Sequence, residues 1–173
     1  MQNPIRILCR KIALKRHQSK VAHSILPLSI ITRATVLVDA AREDATQTCA
    51  AVRQFFDYRH IPVTIYCPKA EELDFLGTIR KRSRVHHPEG GVELFICLID
   101  GEDNFLAEYE SRRSTASFKV GRCEYDGSVY DMTLSGPDGN IVSQMQVFAA
   151  AKDYLKIIQL YLLVKLGQEK ALC

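Results

Sequence analysis

Two apolar runs in the chain end on an aspartate and pass at once into further acid: VLVDAARED from Val36 to Asp44, and FICLIDGED from Phe95 to Asp103. Carboxylates that emerge at the carboxyl ends of buried strands sit where open α/β sheets bind ligands, and two or three such oxygens suit a hard cation. Asp39 and Asp100 are therefore the candidate ligands for Mg²⁺. The same acids also suit helix N-termini. Asp44 with Gln47 three residues on has the spacing of a capping box, and the positive end of a helix favours Glu43 and Asp44. The sequence predicts architectural carboxylates, with Mg²⁺ at Asp39 and Asp100 as the alternative.

Phosphate chemistry of the usual nucleotide kind is disfavoured. The stretch DAARED has no glycine and DGED has one, so no glycine-rich loop is available to bring backbone N–H groups onto a phosphate. There is no Walker motif and no Gly-x-Ser-x-Gly elbow. The adjacent His86 and His87 point apart in extended chain and have no third ligand nearby in sequence, so they read as an exposed loop. Six cysteines are spread without a C-x-x-C pair. Cys49, Cys67 and Cys97 fall inside apolar patterns, as reduced core thiols of a cytoplasmic protein do. Cys123 stands beside Arg122 and Cys173 ends the chain, and no histidine is placed to activate either.

The basic residues are distributed unevenly. Of 23 Lys and Arg, seven lie in residues 1–38 with no acid among them, which leaves 16 bases against all 20 acids in the remainder. The chain thus reads as a mildly acidic body behind a basic arm. A transit peptide shares this composition, but Ile5, Leu8, Cys9 and Ile12 share one helical face while Ile7 and Leu14 lie opposite, which blurs the stripe. A secretory signal needs a longer uninterrupted apolar core than LPLSII supplies. The remaining reading is a basic helix that shows Arg6, Arg10, Lys11, Lys15 and Arg16 to an anionic partner. Arg80, Lys81, Arg82 and Arg84 form a second basic patch, and the two together allow a contact that weakens steeply with salt. No aromatics are interleaved with these bases, so stacking on single-stranded nucleic acid is not indicated.

What must position these groups is legible from Thr35 onward. TVLVDA is a β-branched run, and Ala45, Cys49, Val52 and Phe56 follow at helical spacing. IPVTIYC is a second strand stopped by Pro68, so the three elements form a parallel βαβ unit. PKAEELDFLG has the ends of a short helix, and TIRKRSRVHHPEGG is a basic excursion, an edge strand or a loop. ELFICLID is continuously apolar, as a central strand covered on both faces must be. EDNFLAEYESRRS follows as a helix with Phe105, Leu106 and Tyr109 inward, and SFKVGR resumes strand. Asp126-Gly127 is a two-residue hairpin signal, which predicts an antiparallel last strand at one edge. Ile141 to Leu166 reads as one long helix whose second half is apolar on nearly all sides, yet Lys156, Gln159 and Lys165 interrupt it too often for a bilayer span. Such a helix needs two partners, the sheet and either the basic helix or a second copy in a homodimer.

With 173 residues, 47% of them hydrophobic, the chain is long enough to bury a core without metals or cross-links. The expected fold is α/β: a mostly parallel, doubly wound, three-layer sheet of about five strands with an antiparallel edge strand, in residues 35–173. A basic helical arm in residues 1–34 precedes it.

Taken together, the basic N-terminal segment, the VLVDA strand and FICLIDGEDNFLAEYESRRSTASFKVGR followed by YDMTL resemble an uncharacterised Rossmann-like domain family of Bacteroidetes. The resemblance covers most of the chain after residue 35, and Phe95 to Arg122 with its FKVG motif is its most specific part. It implies an α/β architecture and a bacterial source, and no chemistry. Arg80 to Gly91, with VHHPEGG, departs from the aromatic pattern of that family. The strand-end acids are also similar to response-regulator receiver domains, which would put Asp39 and Asp100 on Mg²⁺ and Lys119 on the phosphoryl group. Here Asp39 lacks the adjacent second acid, Lys119 lies inside its strand, and no proline follows it. The function expected is a non-enzymatic binding or assembly module that meets RNA or a ribonucleoprotein through the arm. The alternative is a Mg²⁺-dependent receiver-like or small-molecule enzyme.

Overall fold

The computed structural model describes residues 3–85, 93–101, 103–134 and 143–171, with only the backbone described for 162, 163 and 165–171. Helix α1 spans Pro4–Arg16. Pro4 occupies the first turn, where a missing N–H is harmless, and the Asn3 side chain accepts the Ile5 N–H at 3.0 Å. Then come β1 (Arg33–Leu37), α2 (Ala45–Asp57) and β2 (Val63–Tyr66), with β1 and β2 parallel from Ala34↔Val63 to Leu37↔Tyr66. β3 (Glu93–Cys97), α3 (Phe105–Arg113), β4 (Phe118–Gly121), β5 (Met132–Thr133) and α4 (Gln144–Ala171) complete the chain.

The strands lie in the order β2-β1-β3-β4-β5 and every neighbouring pair is parallel. β3 is buried along its whole length, as its unbroken apolar run requires. Leu94, Ile96 and Leu98 face a core closed by α2 and α4, where the Phe55 and Phe148 rings meet edge-on at 5.7 Å. Phe95, Cys97 and Ile99 face the other side, covered by Ala107 of α3 and by Ile79. The molecule is thus a three-layer α/β sandwich.

Helix α1 packs outside α3, where Ala13 and Leu14 meet Phe105, Tyr109 and Leu76. Its buried line is therefore set by Arg10 and Ala13. Ile5, Leu8 and Ile12, the residues that share the apolar face in the sequence, are exposed.

The edge strand differs from the expectation. β5 runs parallel to β4 through Val120↔Met132 and Gly121↔Thr133, so Asp126-Gly127 does not close a hairpin. The reason is the burial of Tyr125 and Tyr130 against the second core, their rings 5.8 Å apart, which carries the chain back to the start of β4 before it pairs again. Asp131 seals the return, donating its N–H to the Lys119 carbonyl at 2.9 Å and accepting the Lys119 N–H on Oδ2 at 2.8 Å. Gly121 of the FKVG motif allows the close approach, because a Cβ there would lie 2.2 Å from the Tyr130 ring.

Two further elements depart from the sequence reading. Residues 68–77 form a 3-10 turn at Ala70–Glu72 and a one-pair antiparallel bridge between Leu73 and Ile79, not a helix. The start of α4 is closed by a capping box of Ser143 and Gln146, with Ser143 N–H to Gln146 Oε1 at 3.0 Å and Gln146 N–H to Ser143 Oγ at 3.2 Å. Val147, Phe148, Ala151 and Leu155 of α4 are buried in the core, with Ile158 partly buried against it. Among the described residues no helix is long and apolar enough to cross a membrane.

Candidate functional site: a crevice closed by the basic helix

β1 and β3 are neighbours, but α2 leaves β1 over one face and α3 leaves β3 over the other, so the carboxyl edge opens between them. A crevice of about 570 Å³ lies at this switch point, lined by Asp39, Pro68, Ile99, Asp103 and Asn104. Asn104 also caps α3, its Oδ1 accepting the Ala107 N–H at 3.1 Å. The remaining wall is α1, which contributes Arg6 and Arg10.

The two arginines are i and i+4, so they share a helical face and reach the same loop. Arg10 Nε donates to the Leu76 carbonyl at 2.7 Å, and its guanidinium carbon lies 4.4 Å from the Phe105 ring centroid. Arg6 lies over Phe75 at 6.0 Å. Both side chains lie against Gly77, which has φ of 90°. A Cβ at that position would fall 2.9 Å from Arg10 Nη2 and 3.3 Å from Arg6 Nη2. Neither guanidinium has an ion pair among the described residues, and Arg6 Nε is buried with no hydrogen-bond partner. Burial first, and the adjacent Arg6 charge second, hold the Arg10 pKa below its ordinary value.

The strand-end acids have separate tasks. Asp39 Oδ1 accepts the Ala41 N–H at 3.0 Å. Its backbone is gripped from both sides by the fully buried Gln144, whose Oε1 accepts the Asp39 N–H at 2.7 Å and whose Nε2 donates to the Asp39 carbonyl at 3.2 Å. Sequence reasoning passed over Gln144, although the Ser143-x-x-Gln146 capping spacing marks the helix start that positions it. Asp100 does not line the crevice. Its Oδ2 accepts from Arg122 Nη2 at 3.0 Å, and Arg122 is buried at the end of β4. The acid that joins Asp39 at the crevice is Asp103.

The Asp44–Gln47 capping box does not form, since Asp44 makes no side-chain cap to α2. Its carboxylate is drawn instead to Met145 and Gln144 at the start of α4. Lys119 pairs in register with Phe95 inside the sheet, five residues before Asp100, which lies past the end of β3 and meets Arg122 instead. That arrangement does not match the receiver-like triad. Among the described residues no group of three His, Cys, Asp or Glu is placed to hold a metal. Asp39 and Asp103 are, among the described residues, the carboxylates at the crevice. Two guanidinium groups already share that space, so the donor set suits an anion better than Mg²⁺.

The remaining basic candidates divide by exposure. Lys11, Lys15 and Arg16 are exposed along α1, and Arg80, Lys81 and Arg82 are exposed in the loop after Ile79. Arg80 Nε donates to the Leu73 carbonyl at 2.8 Å, and Leu73 lines the crevice. Arg84 is committed elsewhere, with Nη1 and Nη2 donating to the two oxygens of the buried Glu110 at 2.8 and 2.6 Å. Burial opposes the Arg84 charge, but Glu110 more than offsets it and holds the pKa above its ordinary value. His86, His87 and Cys173 lie outside the described residues.

Comparison of the chain with protein-family models, with curated proteins and with solved structures gives no match. The fold and the crevice are therefore read from the molecule itself.

Proposed function

We propose that this chain is a non-enzymatic binding module that takes an anionic partner, RNA or a ribonucleoprotein, through α1 and the crevice it closes. The observation that carries the reading is the Arg6 and Arg10 pair: two guanidinium groups against Gly77 with no ion pair among the described residues, one of them with a buried nitrogen that has no hydrogen-bond partner there. A buried donor left unsatisfied costs about 1–3 kcal/mol. An incoming phosphate oxygen removes that cost and supplies the missing charge. Lys11, Lys15 and Arg16 continue the positive surface along the helix, and Arg80 to Arg82 extend it beside Leu73. Successive phosphates of one strand suit such a ridge, with one of them seated in the crevice.

Assembly belongs to the same proposal. Tyr154, Ile157, Tyr161 and Val164 on α4 are at least half exposed and recur at the three- and four-residue spacing of a coiled-coil seam. A second copy presenting the same stripe would cover it, giving a homodimer. A cytoplasmic setting goes with this reading, in which Cys49, Cys67 and Cys97 stay as free thiols.

The test is nucleic-acid retention by the full chain over a salt series. The proposal expects RNA to be retained at low salt and released at high salt, with retention lost in the Arg6→Gln/Arg10→Gln variant. Equal retention by that variant would remove the crevice from the account.

A further inference from the structure

A second cavity, of about 540 Å³, lies beside the C-terminal half of α1, and none of the residues lining it lines the crevice. Its ionisable lining comes from separate parts of the chain: the bases Lys11 and Lys15 of α1, His23 of the following coil, Arg112 of α3 and Lys119 of β4, and the acids Glu108 and Asp126, with Leu14 and Val129 as apolar wall. We propose that this cavity binds the phosphoryl group of a small phosphomonoester, with the Lys119 ammonium and the His23 ring at its floor and Leu14 and Val129 against the organic part.

Lys119 carries the argument. It is 3% exposed, and among the described residues its Nζ makes one hydrogen bond, to the Ser111 carbonyl at 3.1 Å. No carboxylate among the described residues forms an ion pair with it, although a buried ammonium normally needs one. Burial pulls its pKa below the ordinary value, and the field of Asp131 offsets only part of that. The Asp131 carboxylate is itself engaged twice, accepting the Lys119 backbone N–H on Oδ2 at 2.8 Å and lying 2.8 Å from His23 Nδ1 through Oδ1. This contact fixes a proton on Nδ1 and leaves Nε2 as the ring nitrogen without a partner among the described residues. Two further carboxylates stand at the wall: Glu108 is taken by Arg112 at 2.8 Å, and Asp126 is exposed at the rim, where its backbone carbonyl accepts from the same Arg112. Lys11 and Lys15 have no ion pair among the described residues, so with Arg112 and Lys119 four bases stand against Glu108, Asp126 and the adjacent Asp131, and the cavity keeps a small excess of positive charge. A dianionic tetrahedral group matches that excess and the several directions of the unused donors better than a carboxylate does. Ser128, also on the wall, is held at φ 52°, an uncommon conformation for a residue with a side chain.

The measurement is an amide NMR titration of the full chain with inorganic phosphate, glycerol 3-phosphate, acetate and a short RNA in separate arms. We expect saturable shifts centred on Ser111, Lys119 and Val129, with phosphate and glycerol 3-phosphate at least about tenfold tighter than acetate. Lys119→Met and His23→Gln should each weaken phosphate binding about tenfold or more, whereas Arg6→Gln/Arg10→Gln should leave it unchanged, which separates this site from the crevice. If Lys119→Met does not fold, His23→Gln decides alone. Absence of saturation, unchanged affinity in the folded variants, or RNA that binds these amides more tightly than the small phosphates would overturn the proposal.

Discussion

The Asp44 carboxylate accepts the Met145 backbone N–H at 3.0 Å, and so closes the N-terminus of a helix 101 residues away in place of the one it precedes. Gln144 Nε2 adds a second hydrogen bond at 3.3 Å to the other carboxylate oxygen. The contact ties α4 to the end of β1 and, through Gln144, to the backbone of Asp39 at the crevice. Burial opposes the Asp44 charge, but these hydrogen bonds prevail and its pKa lies below the ordinary carboxylate value.

Asp44→Ala should therefore cost about 1–2 kcal/mol at neutral pH, the range for loss of a helix cap. A carboxylate with a depressed folded pKa contributes stability above its unfolded value of about 3.9, and that stability is lost as pH falls through the folded value. Urea unfolding at pH 7 and pH 3 should show the gap between wild type and Asp44→Ala narrowing in acid. Gln47→Ala, which removes no cap, should change stability by less than about 0.5 kcal/mol.

Arg84 and Glu110 form a bidentate pair, and Arg113 lies 3.6 Å from Glu110 Oε2 as a weaker second cation. Breaking a buried pair costs about 3–5 kcal/mol when the survivor has no other partner. Arg84→Met should fall below that range, at about 2 kcal/mol, because Arg113 remains. Arg84→Met/Arg113→Met should cost more than the two single changes added together, which a double-mutant cycle by chemical denaturation reads directly.

Gly121→Ala places a methyl group into the Tyr130 ring at a position where both the strand and the ring are packed. Overpacking of this kind costs about 1–3 kcal/mol. The substitution should lower the melting temperature, and Tyr130→Leu in the same chain should recover part of the loss. Equal stability of Gly121→Ala and wild type would show that the parallel return of β5 does not depend on this contact.

The α4 seam makes a separate prediction. Ile157 and Val164 are 58% and 59% exposed, so charge at these positions should not disturb the fold of a single chain. Sedimentation equilibrium should show a concentration-dependent dimer of the wild type that Ile157→Glu/Val164→Glu abolishes, with unfolding of the monomer unchanged. A wild type that stays monomeric at high concentration would remove assembly from the proposal.

The sheet could be read from local pattern because each strand carries its own signal. ELFICLID is apolar at every position of a strand buried on both faces, and TVLVDA, the α2 periodicity and IPVTIYC give a parallel pair over one short stretch. The misreadings arise where a distant group overrides a local one. Asp126-Gly127 has hairpin chemistry, yet Tyr125 and Tyr130 bury themselves on the second core and turn β5 parallel. Asp44 has the spacing to cap α2, yet Met145 is the donor it meets. The arm shows the same limit at the candidate site. Arg6, Arg10 and Ala13 recur at helical spacing, but only contact with Leu76, Gly77 and Phe105 distinguishes the arginines turned inward from Lys11 and Lys15 on the exposed side. Arg84 carries the same sequence signal as its neighbours, and only the contact with Glu110 sets it apart.

The central claim is that the positive leading helix meets an anion through guanidinium groups the body leaves unpaired. Its most direct test is the salt dependence of binding to a labelled single-stranded RNA, measured by fluorescence anisotropy for wild type and Arg6→Gln/Arg10→Gln. Loss of two phosphate contacts should weaken binding and flatten the slope of log affinity against log salt by about 1.4, at about 0.7 for each contact to a single strand. The same slope and affinity in the two proteins would contradict the account.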